Sequence, residues 1–196
     1  MPKKAMALLI FAHGAGAGMT HPFIELLSDE LAMRDIGSIR FNFLYMEKGS
    51  KRPDPAPIAE KTVAAVINYA HELYPLLPIY AGGKSFGGRM TSQRLAKECP
   101  DYVNGLIFFG FPLHPIGQPS IARAQHLKGI TKPMLFLQGT KDKLADITLL
   151  EDVLKDLPLA VLKKWEGADH SFKSGKQNLI PLLAASTADW IKGGKG

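Results

Sequence analysis

At residues 83–87 the chain reads Gly83-Lys84-Ser85-Phe86-Gly87, directly after the apolar run Ile79-Tyr80-Ala81 and before a helix-permissive run that extends to Lys97. A serine flanked by glycines at a strand-to-helix turn is typical of a nucleophile elbow, in which the hydroxyl projects from the end of a sheet. Glycines are needed on both sides because such a turn brings its backbone close to neighbouring strands. The stretch therefore predicts that Ser85 is a nucleophile.

A serine hydroxyl needs a base that removes its proton and an acid that orients this base. Two later strand-like runs lead to these groups, in that order. Asp142 follows an apolar run that ends at Gly139, and His170 follows a run that ends at Trp165. We therefore predict a catalytic triad in which Ser85 is the nucleophile, His170 the base and Asp142 the orienting acid.

Alternatives to these assignments stay open at this point. Asp146 is a fallback for the acid because it lies about one helical turn beyond Asp142, whereas Asp169 is disfavoured because neighbouring side chains usually diverge. A serine between glycines is often only a turn residue, an aspartate can cap a helix, and His170 has an ordinary interpretation as a surface loop residue. The ordered occurrence of all three groups after strand ends favours the triad.

Short apolar strands alternate with helical segments along the chain, which is the pattern of a parallel sheet covered by helices on both faces. The predicted strands are Ala5–Ala12, Ile39–Leu44, Ile79–Gly82, Gly105–Phe109, Met134–Gln138 and Val161–Trp165. The predicted helices are His21–Arg34, Ile58–Leu73, Gly88–Glu98, Ile147–Leu157 and Gln177–Ile191. Ligands of such sheets bind at the carboxyl ends of the strands, so topology alone places the three candidate residues on one rim.

Length and composition point to one globular domain over residues 1–196, because a chain of 196 residues with 46% apolar content can bury a sizeable core. A single cysteine, Cys99, excludes an internal disulfide framework and fits a reducing compartment. Lys3-Lys4 and the apolar run after it imitate a secretory signal, but that run has the length of a strand. No stretch approaches the roughly 18 apolar residues that cross a bilayer. We therefore expect a cytoplasmic protein with no membrane association.

Other binding functions are disfavoured because the motifs that they require are missing or incomplete in this sequence. The net charge of +6 comes from scattered residues without a recognised nucleic-acid motif, so no nucleic-acid partner is predicted. Gly83-Lys84-Ser85 resembles the end of a P-loop, but Pro78 stands where that loop needs its first glycine. The turn at residues 14–19 starts like a dinucleotide-binding turn, but Met19 replaces its last small residue. The histidines lack metal-site spacing, so neither metal nor cofactor is predicted.

Attack by Ser85 on an acyl carbon would create an oxyanion that needs two N–H donors. The amide of Phe86 is one candidate because it follows the nucleophile, and the amide of Ala15, in the small-residue turn after the first strand, is the other. The predicted activity is cleavage of an ester, thioester or lactone of a small acyl substrate through an acyl-serine intermediate. The main alternative is a binding or scaffold protein with little turnover. The oligomeric state stays open.

The chain resembles the α/β-hydrolase superfamily over nearly its whole length. The resemblance is carried by His13-Gly14, Gly83-Lys84-Ser85-Phe86-Gly87, Gly139-Thr140-Lys141-Asp142 and Asp169-His170-Ser171-Phe172. A narrower resemblance rests on Ala12-His13-Gly14-Ala15-Gly16, Arg40-Phe41-Asn42-Phe43, Gly82–Arg89 and Phe111-Pro112-Leu113-His114-Pro115. These stretches look like the compact, dienelactone-hydrolase-like group that includes the hydrolase-like domains of testis-expressed protein thirty and of the third subunit of the NSL chromatin complex.

This resemblance implies an α/β-hydrolase fold with a mostly parallel sheet of about six strands, helices on both faces and no lid domain. Hydrolases of this type often carry an insertion after the strand that corresponds to Gly105–Phe109. Here the segment Phe111–Gln125 is short, so an open and shallow site is implied. Phe111, His114 and Met19 are predicted to line its entrance, with simple packing as the alternative. Lys143 departs from the family pattern, which often has proline after the acid.

Overall fold

The computed structural model describes residues 1–193, so the last three residues of the predicted domain lie outside the described part. Six strands form one parallel sheet in the order β2-β1-β3-β4-β5-β6. The strands are β1 (Ala7–Ala12), β2 (Ile36–Phe41), β3 (Ile79–Lys84), β4 (Val103–Phe109), β5 (Met134–Gly139) and β6 (Ala160–Trp165). The α/β class and the six-stranded parallel sheet predicted from the sequence are confirmed.

Helices follow most of the strands. They are α1 (Pro22–Ala32), α2 (Leu44–Glu47), α3 (Ala56–Leu73), α4 (Phe86–Lys97), α5 (Ile147–Lys155) and α6 (Ile180–Ile191), with a 3₁₀ helix at Ala122–Gly129. A small antiparallel hairpin is formed by β7 (Lys173–Ser174) and β8 (Gln177–Asn178). Between β4 and β5 the described chain holds only the 3₁₀ helix, which packs on α4, and no lid domain.

Alternate side chains of β1 enter two separate hydrophobic cores. Leu9 and Phe11 pack in the core that contains the buried faces of α1 and α6. Leu8 and Ile10 pack in the core that contains α3, α4 and Leu150 of α5. A strand buried on both faces has no polar side, which explains why β1 reads as a continuous apolar run rather than as an alternating pattern.

Two predicted elements are displaced in the structure. The second strand spans Ile36–Phe41 instead of residues 39–44, because Phe43 leaves the strand and is buried between His13 and Phe86. The last helix begins at Ile180 instead of residue 177, because the hairpin of β7 and β8 occupies the preceding residues. Among residues 1–193, every helix is too short or too polar to cross a lipid bilayer.

Candidate active site

Ser85 lies in a strained turn between β3 and α4. Its backbone dihedral angles are φ 51° and ψ −116°, a positive φ that a residue with a side chain rarely adopts. The flanking glycines are needed for close approach: a Cβ at Gly87 would lie 2.5 Å from the carbonyl oxygen of His13, and one at Gly83 would collide with the carbonyl oxygen of Ala12. The turn therefore has the geometry expected of a nucleophile elbow.

The three residues predicted as a triad meet at the carboxyl edge of the sheet. The Nε2 atom of His170 lies 2.8 Å from the Oγ atom of Ser85. Its Nδ1 atom lies 2.6 Å from Oδ2 of Asp142. Because a carboxylate only accepts, Nδ1 carries the hydrogen of a neutral ring and Nε2 is left to accept the hydrogen of the Ser85 hydroxyl. The structure thus places hydroxyl, imidazole and carboxyl group in one hydrogen-bonded series.

Asp142 is held by groups that the sequence analysis did not identify. Its Oδ2 atom also accepts a hydrogen bond of 2.7 Å from Nε2 of Gln138, and its Oδ1 atom accepts one of 2.8 Å from the amide of Leu144. Gln138 is fully buried, and its Oε1 atom accepts a 2.8 Å bond from the amide of Phe111. Gln138 therefore links the end of β5 to the chain that leaves β4 and fixes the carboxyl group between them.

The two alternative aspartates have other partners. Asp146 caps α5, because its Oδ1 atom accepts hydrogen bonds from the amides of Thr148 and Leu149. Asp169 closes the loop around His170 by accepting hydrogen bonds from the amides of Ser171 and Lys173. The geometry therefore favours Asp142 as the acid and gives Asp146 and Asp169 local structural roles.

The two amides predicted for the oxyanion hole belong to Ala15, which lines the same cavity as Ser85, and to Phe86, which follows Ser85. Within residues 1–193, neither the Ala15 amide nor the Phe86 amide donates a hydrogen bond to a protein acceptor. Ala15 lines the cavity together with Ser85, and the Phe86 amide stands at the first turn of α4. The Phe86 ring points elsewhere and packs edge-on against Phe43.

The turn that carries Ala15 is held by His13, which directly follows β1, and by Tyr45 of α2. His13 is buried, its Nδ1 atom donates a 2.7 Å hydrogen bond to the carbonyl oxygen of Gly14, and its Nε2 atom accepts one of 3.2 Å from the Phe43 amide. Burial lowers the pKa of His13 below its ordinary value, so the ring is neutral. The hydroxyl of Tyr45 accepts a 2.8 Å bond from the amide of Gly16.

A cavity of about 760 Å³ opens beside Ser85. Its walls come mainly from the turn after β1, from α1 and from the segment between His170 and Ile180. The rings of Phe23 and Phe172 stack in the wall, with centroids 5.8 Å apart. The lining includes Lys84, Lys173, Lys176 and His21 but, within the described residues, no aspartate or glutamate. Among residues 1–193, no three histidine, cysteine, aspartate or glutamate residues are grouped so that they could hold a metal ion.

The prediction that Phe111, His114 and Met19 line the entrance is wrong, and for Phe111 and His114 the alternative of simple packing is confirmed. Phe111 is fully buried and packs edge-on against Phe108 and Phe136 in the core. His114 is also buried, where its Nε2 atom accepts a hydrogen bond from the Asp146 amide. Met19 is exposed but does not line the cavity. The chain turns inward after β4, so its apolar residues complete the core rather than the site.

The comparisons with known proteins agree with this architecture. The family model described as "Alpha/beta hydrolase domain" matches residues 5–182. A dienelactone hydrolase from Anabaena variabilis has a TM-score of 0.79 at 20% sequence identity, over 98% of this chain and 88% of that chain. Est1E from Butyrivibrio proteoclasticus, with ferulic acid bound, has a TM-score of 0.76 at 18% identity, over 98% and 92% of the two chains. A lidless serine hydrolase from Xanthomonas campestris has a TM-score of 0.73 at 20% identity, over 98% and 85%.

Proposed function

Because the chain belongs to the α/β hydrolase domain family, which matches residues 5–182, we propose that it is a serine hydrolase of carboxylic esters, thioesters or lactones. The observation that carries the proposal is the hydrogen-bonded series from Ser85 through His170 to Asp142, with distances of 2.8 and 2.6 Å. Such a series is the arrangement that activates a serine hydroxyl, and it occurs here beside a cavity large enough for a small acyl group.

In the acylation step, Ser85 Oγ attacks the acyl carbon and its proton moves to Nε2 of His170. The carbonyl π electrons move to the oxygen, and the amides of Ala15 and Phe86 donate hydrogen bonds to this oxyanion. The N-terminus of α4 adds the positive end of a helix dipole at the same place. When the oxyanion collapses, the bond to the leaving oxygen or sulfur breaks and His170 returns the proton to that atom. Asp142 stabilises the imidazolium throughout.

In the deacylation step, water replaces the alcohol or thiol. His170 takes a proton from this water, the hydroxide attacks the acyl carbon, and the Ser85 ester bond breaks as Oγ recovers its proton from Nε2. The product is a carboxylic acid. A lactone follows the same path, except that the leaving oxygen stays attached and the product is a hydroxy acid.

Small and partly aromatic acyl groups suit the cavity, because the stacked rings of Phe23 and Phe172 offer a flat apolar wall. The absence of a lid in the described chain leaves the cavity uncovered, which favours small or extended substrates over buried lipid chains. Dienelactone hydrolase activity and ferulic acid binding belong to the similar structures by name, and they support a search among small esters and lactones.

The experiment is a turnover assay of the purified chain on a panel of short acyl esters, thioesters and lactones. Ser85→Ala is expected to lower kcat by at least about 10⁴-fold, because the members of a triad act as a unit. Ser92→Ala is the matched control, since Ser92 also contacts a histidine but lies away from the cavity, and it should retain kcat within about 3-fold. A folded wild-type chain with no turnover on the panel would instead support the binding or scaffold alternative.

A further inference from the structure

Lys84 is the last residue of β3 and stands directly before Ser85. Its side chain runs along the cavity wall and carries its ammonium group to the loop that holds His170. There the Nζ atom donates a hydrogen bond of 2.5 Å to the main-chain carbonyl oxygen of His170. The residue next to the candidate nucleophile is therefore bonded to the backbone of the candidate base.

The same ammonium also contacts the aromatic wall. Its Nζ atom lies 5.5 Å from the ring centroid of Phe172 and 5.9 Å from that of Phe23, within the range of a cation–π interaction. Phe172 has a positive φ of 58°, so the loop is strained two residues after His170. Lys84 thus engages this strained loop at two points, the carbonyl of residue 170 and the ring of residue 172.

The space around the ammonium is closed on a third side by the chain that leaves β4. A Cβ at Gly110 would lie 3.0 Å from Nζ of Lys84 and 3.4 Å from Nδ1 of His170. The ammonium and the imidazole therefore both lie close to Gly110, which leaves little room for either group to move.

This arrangement is costly for the folded state. Burial lowers the pKa of Lys84 to about 8, although Asp142 and Asp169 act in the opposite direction. Both carboxylates already accept other hydrogen bonds, and the acceptor in direct contact with Nζ is a neutral carbonyl. The remaining titratable groups along the cavity are His170, His21, Lys173 and Lys176, none of which supplies a negative charge. A buried ammonium with a neutral direct partner destabilises a fold more often than it stabilises one.

We propose that Lys84 is a positioning residue for the hydrolase reaction: by holding the backbone at residue 170 it keeps Nε2 of His170 within hydrogen-bonding distance of Ser85 Oγ. The inference rests on the proposed function. It explains why the chain keeps a lysine where an apolar residue would fold more easily, since functional residues are often retained at a cost to stability.

Lys84→Met tests the proposal, because methionine keeps much of the apolar stem and removes the donor. Turnover of a neutral 4-nitrophenyl ester is expected to fall about 10- to 100-fold in kcat, with KM within about 3-fold, since a small misplacement of a catalytic group has effects of this size. The midpoint of thermal unfolding should stay unchanged or rise. Lys84→Arg keeps charged N–H donors but places a larger head group in this confined space, so it should recover the lost kcat in part. Lys61→Met, on an exposed position of α3, is the matched control.

The stability measurement has a defined pH dependence. The native state holds Lys84 with a pKa near 8 while the unfolded chain has the ordinary value of 10.5, so above pH 8 the unfolded state binds more protons and the native state gains stability as the pH rises. The stability of Lys84→Met relative to the wild type should therefore be highest below pH 8 and should decrease progressively as the pH rises from 8 to 10.5. An unchanged kcat in Lys84→Met, or a loss of kcat matched by a fall in the unfolding midpoint, would overturn the proposal.

Hydrogen exchange separates this inference from the proposed function. The amides of Ser171, Phe172 and Lys173 are hydrogen-bonded within the His170 loop, so their exchange reports how firmly the loop is held. In Lys84→Met they should exchange about 10-fold faster, whether or not the wild type hydrolyses esters. A wild type without turnover would contradict the serine hydrolase, whereas unchanged exchange in the variant would contradict the role of Lys84.

Discussion

Within residues 1–193 the structure contains two hydrogen bonds of the same length between a serine and a histidine, and one of these two pairs has the surroundings of a nucleophile. Ser85 and His170 are 2.8 Å apart at the sheet edge, and Ser92 and His126 are 2.8 Å apart between α4 and the 3₁₀ helix. The two serines lie seven residues apart on one segment. Their comparison separates what a hydrogen bond between serine and histidine supplies from what catalysis requires.

The first difference is the direction of the hydrogen bond. The Ser92 hydroxyl donates to the carbonyl oxygen of Arg89 at 2.9 Å, and since a hydroxyl has one hydrogen, Nε2 of His126 must be the donor to Ser92. At the other pair, the contact of Asp142 with Nδ1 leaves Nε2 of His170 free to accept. The carboxylate therefore decides which nitrogen can take a proton from the serine.

The second difference is electrostatic. Burial, with a further contribution from Arg89, lowers the pKa of His126 to about 4, so this ring is a weak base at neutral pH.

The third difference is the position of the serine. Ser92 lies inside a regular helix and is fully buried, whereas Ser85 has a positive φ and borders a cavity. A serine becomes a candidate nucleophile through its strained turn, its oriented base and its access to substrate together. The Ser92–His126 pair is a structural link between α4 and the 3₁₀ helix.

The largest difference between the two pairs is expected when each histidine is replaced by alanine. His170→Ala should lower kcat on an active ester by about 10⁴-fold or more, because the serine loses its base. His126→Ala should leave kcat within about 3-fold and lower the free energy of unfolding by about 1–3 kcal/mol, because a partly buried hydrogen-bonding side chain is lost. Steady-state kinetics and denaturant unfolding of both variants provide the check. Equal losses of kcat in the two variants would remove the distinction.

The next largest effect on kcat is expected at Asp142, the proposed orienting acid. Asp142→Asn should keep the fold and lower kcat by about 10⁴-fold, since an amide no longer fixes the tautomer of His170. Asp146→Ala removes the cap of α5 and should instead lower the free energy of unfolding by about 1 kcal/mol, with kcat almost unchanged. The pair is compared by kinetics and thermal unfolding. The reverse pattern would make Asp146 the acid and Asp142 the structural residue.

The smallest effect is expected at Gln138. Gln138→Leu removes the donor to Asp142 and the acceptor of the Phe111 amide, so the carboxylate is less firmly held and a buried amide loses its partner. We expect a decrease in kcat of about 10-fold and a loss of about 1–3 kcal/mol in unfolding free energy. Both are measured on the purified variant. Wild-type kcat despite the lower stability would mean that Gln138 supports the core and not the acid.

The sequence predicted those parts of the architecture that depend on short stretches of neighbouring residues. The strands before Ser85 and Asp142 are largely buried and read as short apolar runs, and the partly exposed strand before His170 still begins with one. All three end at a turn, so the strand ends could be located. Once the strands are parallel, topology brings their carboxyl ends to one edge. The proximity of the three side chains followed from these two facts without any knowledge of their distances.

The parts that failed depend on packing between distant segments. Phe43 extends an apolar run beyond the end of β2, and only its burial against His13 and Phe86 shows that it belongs to a loop. Phe111 follows a strand end as the site residues do, but its side chain turns into the core. Gln138 and Lys84 carry no signal of their roles, because an isolated glutamine or lysine reads as an ordinary polar residue until its partners are known.

The most direct measurement of the central claim is covalent labelling with a fluorophosphonate, followed by mapping of the modified serine. Cleavage after lysine and arginine separates the two serines, since Ser85 falls in the peptide of residues 85–89 and Ser92 in the peptide of residues 90–94. We predict stoichiometric modification of the 85–89 peptide, lost in Ser85→Ala and retained in Ser92→Ala. Modification of the 90–94 peptide, or no modification of the folded protein, would contradict the assignment of Ser85 as the nucleophile.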